Sequence, residues 1–232
     1  MMGEIDIKTT DDAPAFVVKV LETSYVSHDV KRFVLEKPAG FNFVPGQSVY
    51  ISINLPEWKD QLRPFTFTNL PEDDVIELMI KLYRNKNGVT KKLETVNEGD
   101  ELILHHVFGT IAYTEKGVFI AAGSGITPFL SIFRHLYKTR QIHHNVLIYS
   151  NKTADDVLMD EELQKMLGDN LIKTFTRENV IGFIDRRIDR DFLITHISHF
   201  KQHFYICGPD TFVSDLNILL QSLGANPESI IF

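Results

Sequence analysis

The stretch Val118-Phe119-Ile120-Ala121-Ala122-Gly123-Ser124-Gly125-Ile126-Thr127-Pro128-Phe129 decides how the chain is read. Five apolar residues, the length of a buried strand, run into two glycines. Thr127 is placed to cap a helix, and Pro128 suits its first turn, where a missing N–H costs nothing. Leu130, Ile132, Phe133, Leu136 and Tyr137 follow at helical spacing. A strand, a glycine turn and a helix N-terminus together make an anion site, because unpaired N–H groups and the helix dipole point at a phosphate. In isolation an ordinary βα turn holding two glycines reads the same way. The stretch also departs from the dinucleotide fingerprint, since Thr127-Pro128 occupy its last positions. The flanking sequence therefore has to decide.

Downstream, strands alternate with helices. Asn145–Tyr149 is a second buried strand, and Ser150–Thr153 lies at its C-terminal end, where ligands bind in open α/β sheets. A helix over Asp160–Leu167 and a strand over Leu171–Phe175 follow, the strand ending in Thr176-Arg177-Glu178. A turn-rich segment, Gly182–Arg187, leads to a helix over Asp189–Ile197. The strand His203–Cys207 closes on Gly208-Pro209. A helix with Phe212, Leu216, Leu219, Leu220 and Leu223 inward stops at Gly224, and Ser229–Phe232 is a last strand. This alternation predicts a parallel sheet with crossovers, a nucleotide-binding α/β domain. A buried strand cysteine is ordinarily a small hydrophobe. Cys207, however, ends a strand at the ligand edge, which favours contact with a cofactor, as a thiol and not as a nucleophile. The pairs His105-His106 and His143-His144 point to opposite faces. His196 and His199 could share a helix face, with His203 beyond, at a spacing that resembles a metal pair, but no third ligand or acid is evident nearby, so no metal site is expected.

Upstream, short β-rich runs alternate with turn residues: Phe16–Leu21, Val30–Leu35, Val49–Ile53, Phe65–Thr68, Val75–Leu82 and Glu101–Leu104. Six strands at this spacing predict a small antiparallel barrel, with residues 1–14 loose before it and a short helix over Thr90–Val96. Phe108–Lys116 reads as the connection between the two halves. In Arg63-Pro64-Phe65-Thr66-Phe67-Thr68-Asn69 an arginine at a strand start can clamp a phosphate, and an aromatic ring can pack on a planar one. A plain barrel strand explains the same residues. Gly88-Val89-Thr90, with Thr90 as helix cap, offers N–H groups to an anion or simply caps a surface helix.

The 232 residues suffice for two ordinary domains, and 44% hydrophobic content for a sizeable core. A formal charge of −7 argues against nucleic acid or an anionic membrane surface as partner. A single cysteine excludes a disulfide framework and a four-cysteine iron–sulfur cluster within this chain. The acidic start is not a signal peptide, and no apolar run reaches membrane-spanning length. A cytoplasmic monomer is expected.

Taken together, six ordered motifs resemble the ferredoxin–NADP reductase superfamily, in its stand-alone bacterial flavodoxin/ferredoxin reductase and oxygenase-reductase forms. They are PGQ at 45–47, RPFTFTN at 63–69, GVTKKL at 88–93, GSGITP at 123–128, YSNK at 149–152 and CGP at 207–209. The resemblance implies a six-stranded antiparallel flavin-binding β-barrel over 1–113 and an α/β parallel-sheet nicotinamide-nucleotide domain over 114–232. It implies that Arg63 binds the flavin phosphate, Phe65 packs on the flavin, and Thr66 hydrogen-bonds near its N5. Gly88, Val89 and Thr90 would hold the pyrophosphate, which favours FAD over FMN. Gly123, Gly125, Thr127 and Pro128 would receive the nicotinamide nucleotide, and Cys207 and Gly208 would line the nicotinamide pocket. Thr66 and Cys207 would thus flank the hydride transfer. Lys152 stands at a commonly basic position, and Arg177 matches one often used for a 2′-phosphate, which favours NADPH over NADH. The usual glycine-proline-x-glycine before the linker reads His106-Val107-Phe108-Gly109 here.

The leading expectation is an NAD(P)H-dependent reductase serving a ferredoxin, flavodoxin or oxygenase. Alternatives are a reductase of free flavin or ferric chelates, and a non-catalytic flavin-binding electron-transfer subunit of a complex. A protein acceptor would dock near Arg84, Lys91 and Lys92. The Arg63→Ala variant is expected to lose flavin on purification; unchanged flavin content would remove the clamp.

Overall fold

In six runs of the N-terminal half the apolar residues recur at every second position, and that period builds a barrel. The computed structural model describes residues 15–109, 111–178, 184–185 (backbone only) and 187–232. The strands are β1 (Phe16–Tyr25), β2 (Val30–Glu36), β3 (Gln47–Ile53), β4 (Arg63–Thr66), β5 (Val75–Lys81) and β6 (Glu101–Gly109). All their pairings are antiparallel, in the order β4-β3-β6-β1-β2-β5. The sheet closes on itself just past β4, through a bridge between Phe67 and Leu78 and the bond from Thr68 N–H to Glu77 carbonyl at 3.0 Å. Val18, Val20, Phe33, Leu35, Val49, Ile51, Ile53, Ile76, Leu78, Ile80, Leu102 and Leu104 fill its interior. Each such side chain contributes about 1.5–3 kcal/mol of burial.

Several boundaries differ from the sequence expectation: β1 runs on from Leu21 to Tyr25, β3 starts at Gln47, and β4 covers Arg63–Thr66 where Phe65–Thr68 is expected. β6 runs on to Gly109, because Val107, Phe108 and Gly109 pair with Val49, Ser48 and Gln47; Phe108 is therefore strand and not linker. The helix expected over Thr90–Val96 is α1 (Val89–Lys92) followed by a tight 3-10 turn, Leu93–Thr95. Buried Lys31 takes the carbonyls of Val96 (2.6 Å) and Glu94 (3.2 Å), fixing that turn from below.

The C-terminal half contains β7 (Gly117–Ala122), α2 (Thr127–Lys138), β8 (Val146–Asn151), α3 (Asp160–Leu167), β9 (Leu171–Phe175), β10 (Ile184–Asp185), α4 (Arg190–His196), β11 (His203–Cys207), α5 (Asp210–Ser222) and β12 (Ile230–Ile231). Its six strands are parallel, in the order β10-β9-β8-β7-β11-β12. β7 is buried on both faces, as its unbroken apolar run requires. Phe119 and Ala121 pack under α2 and α3, and Val118 and Ile120 under α4 and α5. The final strand is shorter than expected, since residues 227–229 form a 3-10 turn. The stretch 1–14 lies outside the described residues, as do residues 182, 183 and 186 of the turn-rich segment Gly182–Arg187. Among the described residues no helix is long and apolar enough to cross a membrane.

The two halves meet at Glu77, which is 7% exposed on β5. Its carboxylate accepts from Arg134 of α2 at 2.7 Å, Arg32 of β2 at 2.6 Å and Thr68 at 2.8 Å. Burial alone would push the Glu77 carboxyl up, but Arg134, Arg32 and Thr68 outweigh it and hold it below the ordinary value. A carboxylate with a depressed folded pKa stabilises fully above its ordinary value of 4.5, and the contribution is lost as pH falls through the folded value. Glu77→Gln should therefore lower stability near neutral pH by about 3 kcal/mol. It should also flatten the stability–pH curve below 4.5, as measured by urea unfolding across an acid series; an unchanged acid limb would contradict the assignment.

Candidate active site

β7 and β11 are neighbours, yet the chain leaves β7 toward β8, β9 and β10 and leaves β11 toward β12. The crevice outside the carboxyl ends of two such strands is where open α/β sheets bind ligands. Here it is built from the Gly123 turn after β7 and from Cys207-Gly208 at the end of β11. Gly125 is required by close approach: a Cβ on it would sit 2.3 Å from the Cys207 carbonyl oxygen. Gly123 has φ +53, a left-handed conformation that favours glycine, and its outer side is open.

Thr127 does not cap α2, contrary to the sequence expectation. Residues Gly123–Ile126 coil into a 3-10 turn that runs directly into the helix, so Thr127 is already helical, at φ −56. Its hydroxyl donates to the Ser124 carbonyl at 3.0 Å and lies 2.8 Å from the hydroxyl of Thr66 in β4. With the one Thr127 proton on Ser124, Thr66 donates to Thr127 and keeps a lone pair for the space beside it. Pro128 stands in the first turn, as expected. Thr90 likewise is not a cap: Gly88 holds that position in extended backbone, and Lys91 and Lys92 N–H both return to the Gly88 carbonyl at 3.1 Å.

Two cavities open at this crevice. The first, of ≈ 730 Å³, lies between the barrel and α5; its lining includes Tyr50, Phe65, Thr66, Tyr83, Thr90 and Phe232. The second, of ≈ 630 Å³, lies over the ends of β7, β8 and β9; its lining includes Gly123, Gly125, Asn151, Lys152 and Thr176. Lys81, Tyr83, Ser124, Cys207, Gly208 and Asp210 border both, so the cavities meet beside Cys207. Both volumes fall in the range of small-ligand sites. Burial pushes the Cys207 thiol up to about 11, so it stands there protonated.

The crevice thus gathers Phe65, Thr66, Thr90, Thr127, Pro128, Cys207 and Gly208 at the first cavity and Gly123, Gly125, Lys152, Cys207 and Gly208 at the second. Arg63, Gly88 and Val89 line neither. Arg63 is exposed at the start of β4 and donates to the neighbouring Leu62 carbonyl at 2.7 Å. The Val89 side chain belongs to the barrel core. Arg177 is exposed just beyond β9, its N–H bonded to the Lys152 carbonyl at 2.9 Å, so the two cations sit on adjacent strand ends. His196 is stacked on Phe192 and bonded to its carbonyl at 2.8 Å, while His203 lies beside Glu115.

Sequence reasoning missed several lining residues. Tyr50 carried a readable signal, an aromatic between the inward-facing Val49 and Ile51. Asp210, directly after CGP, and Phe232, after the last strand, carried none that spacing reveals. Asn151 is 4% exposed, and both atoms of its amide lack a hydrogen-bond partner among the described residues. Such a group is costly to leave unpaired and suits a ligand that both donates and accepts.

Comparison with known proteins gives these features a family. Residues 15–147, more than half of the chain, match the FAD-binding domain model, and residues 119–217 match the oxidoreductase NAD-binding domain model. The chain is 25% identical to the flavohemoprotein of Bacillus subtilis over 204 residues, which is 81% of this chain and 50% of that one; it spans half that relative's length. It is 26% identical over 232 residues to the naphthalene 1,2-dioxygenase system ferredoxin–NAD(P)+ reductase component of Pseudomonas putida, covering 94% of this chain and 68% of that one. The flavohem-like FAD/NAD-binding domain of nitric oxide dioxygenase from Vibrio cholerae O1 biovar El Tor superposes with a TM-score of 0.82 at 22% identity, covering 93% and 96% of the two chains. The residues present fit both groups that the family implies. A cavity with aromatic walls and a threonine hydroxyl suits a flavin ring, and a glycine-bordered cavity with an orphan amide and a lysine suits a dinucleotide. A barrel that matches the flavin model, a switch-point crevice that matches the nicotinamide model and two adjoining cavities between them make this chain a member of the ferredoxin–NADP reductase superfamily, an NAD(P)H-dependent flavin oxidoreductase.

Proposed function

We propose that the chain takes hydride from NADPH onto FAD and passes the electrons to a ferredoxin, a flavodoxin or an oxygenase component. The observation that carries this reading is the meeting of the two cavities beside Cys207. When bound, FAD supplies the hydride acceptor and the capacity to release electrons in separate steps. The protein's part is geometry. Phe65 packs on the flavin, Thr66 addresses its N5 side, and Thr90 at the cavity wall, with Arg63, Gly88 and Val89 beyond it, holds the phosphates. The Gly123–Gly125 turn, Thr127 and Pro128 receive the nucleotide. Gly125 lets the turn press on Cys207, so the nicotinamide has a wall made of Cys207 and Gly208 and water is excluded from one side. The thiol stays protonated and serves as a soft contact. The proposed division is a flavin unit through residue 113 and a nucleotide unit after it.

The adjacency of Lys152 and Arg177 supports NADPH, since two cations on neighbouring strand ends suit a 2′-phosphate. The printed role of the Pseudomonas putida relative, a reductase component of a dioxygenase system, supports a protein acceptor.

Anaerobic titration of the purified protein with NADPH and then NADH, followed by its visible spectrum, tests the reading. A yellow protein bleached preferentially by NADPH is expected, and one bleached by neither overturns it. In Arg177→Ala the Michaelis constant for NADPH should rise roughly tenfold, the size of one lost charge-assisted contact, while that for NADH stays put. Gly125→Ala should keep its flavin yet lose bleaching by either nucleotide; full bleaching would show that the close approach is dispensable.

A further inference from the structure

α2 begins at the nucleotide turn and carries four polar side chains at intervals of four, three and four residues: Thr127, Ser131, Arg134 and Lys138. At 3.6 residues per turn they share one face. Every one of them reaches the same segment of the barrel, residues 66–77. Thr127 meets the Thr66 hydroxyl at 2.8 Å, and Ser131 donates to the Asn69 carbonyl at 2.7 Å. Arg134 donates to the Thr68 carbonyl and to Glu77, both at 2.7 Å, and Lys138 reaches Glu72 at 2.6 Å. The other edge of the Arg134 guanidinium grips Glu162 of α3 through two bonds of 2.7 and 2.8 Å. The segment it holds is itself rigid: the Asn69 amide donates to the Val75 carbonyl at 2.7 Å and accepts from Glu77 N–H at 2.8 Å.

These bonds differ in strength. Lys138–Glu72 is exposed and screened. Thr127–Thr66 is a single neutral bond beside the open crevice, where water competes for both partners. Arg134 is mostly buried, and its planar fork engages a carbonyl and two carboxylates at once. Apolar faces tolerate small slides, whereas a fork that makes four bonds of 2.7–2.8 Å does not. The contact nearest the chemistry is thus the weak one, and the contact that fixes its geometry lies two turns further along the same helix.

We propose that Arg134, assisted by Ser131, is a positioning residue for hydride transfer: it sets the Gly123–Thr127 turn against the strand carrying Phe65 and Thr66. This rests on the reading above, in which a nicotinamide at the turn gives a hydride with both its electrons to a flavin at that strand. A displacement of about 1 Å in such an arrangement costs on the order of a hundredfold in rate.

The test compares wild type with Arg134→Gln, Arg134→Lys and Ser131→Ala as purified flavoprotein. Five quantities are read: NADP+ affinity and the long-wavelength charge-transfer absorbance it induces; the reduction rate at saturating NADPH and its isotope effect with 4-deuterated NADPH; and amide hydrogen exchange of residues 66–69 and 123–127. The expected result for both Arg134 variants is NADP+ affinity within about twofold, a reduction rate lower by roughly tenfold to a hundredfold, a larger isotope effect, a weakened charge-transfer band and faster exchange in both segments together. Lysine should not restore the rate, because it keeps the charge but not the fork. Ser131→Ala should shift the same quantities in the same direction, and it decides alone if the Arg134 variants fail to fold. Unchanged rate, band and exchange in variants whose melting temperature has dropped would overturn the proposal, as would a loss confined to NADP+ affinity. If neither nucleotide reduces wild type, the reading of the two cavities fails. The exchange data then still decide: coupled acceleration of the two segments supports the strut, and unaltered exchange refutes it.

Discussion

The site depends on a backbone contact. The turn after β7 lies so near the last residue of β11 that a single carbon on Gly125 would overlap the Cys207 carbonyl. Two strands brought side by side by the topology are thereby brought together at their ends as well. The crevice between them becomes narrow enough to bind and open enough on its outer side to admit a ligand. The 3-10 coil of residues 123–126 follows from the same closeness, because a chain pressed against β11 has to tighten before it can enter α2. Thr127 is then drawn into the helix, and its hydroxyl is free to face the barrel.

The second requirement is a barrel that presents β4 to this crevice. Alternation of apolar residues closes the sheet, and the closing bridge falls at Phe67–Leu78, immediately after the residues that line the first cavity. Beside that seam Glu77 gathers two arginines from different elements. A buried carboxylate is costly unless it is paired and hydrogen-bonded, and here each oxygen is satisfied. The interface between the two halves is therefore directional at its centre and not simply greasy.

Much of this was legible in one dimension because it depends on local rules. The run Val118–Ala122 could only be a strand buried on both faces, and the glycines after it could only be a turn. The period of two in Val49, Ile51 and Ile53 announced a barrel wall. The errors arose where a distant partner overrode a local preference. Phe108 and Gly109 looked like the start of a linker until β3 supplied their pairing. Thr90 and Thr127 looked like caps because threonine before an apolar helical run usually is one, and the neighbouring glycine or 3-10 turn had already filled that role. Arg134 and Glu77 are 57 residues apart and carry no motif, so their pairing is invisible until the chain is folded. Arg63 shows the converse: the motif marks it clearly, while its side chain rests on its neighbour's carbonyl outside both cavities.

The end strands of the barrel, β4 and β5, meet at the Phe67–Leu78 bridge, and the parallel sheet ends on one side in β12, a strand of two residues. An unpaired strand edge is a template on which another chain can add by backbone hydrogen bonding, and the hazard grows with its length. A two-residue edge offers too few consecutive donors and acceptors to hold a guest strand. The same short strand that makes this side of the sheet hard to read is thus its protection against edge-to-edge polymerisation.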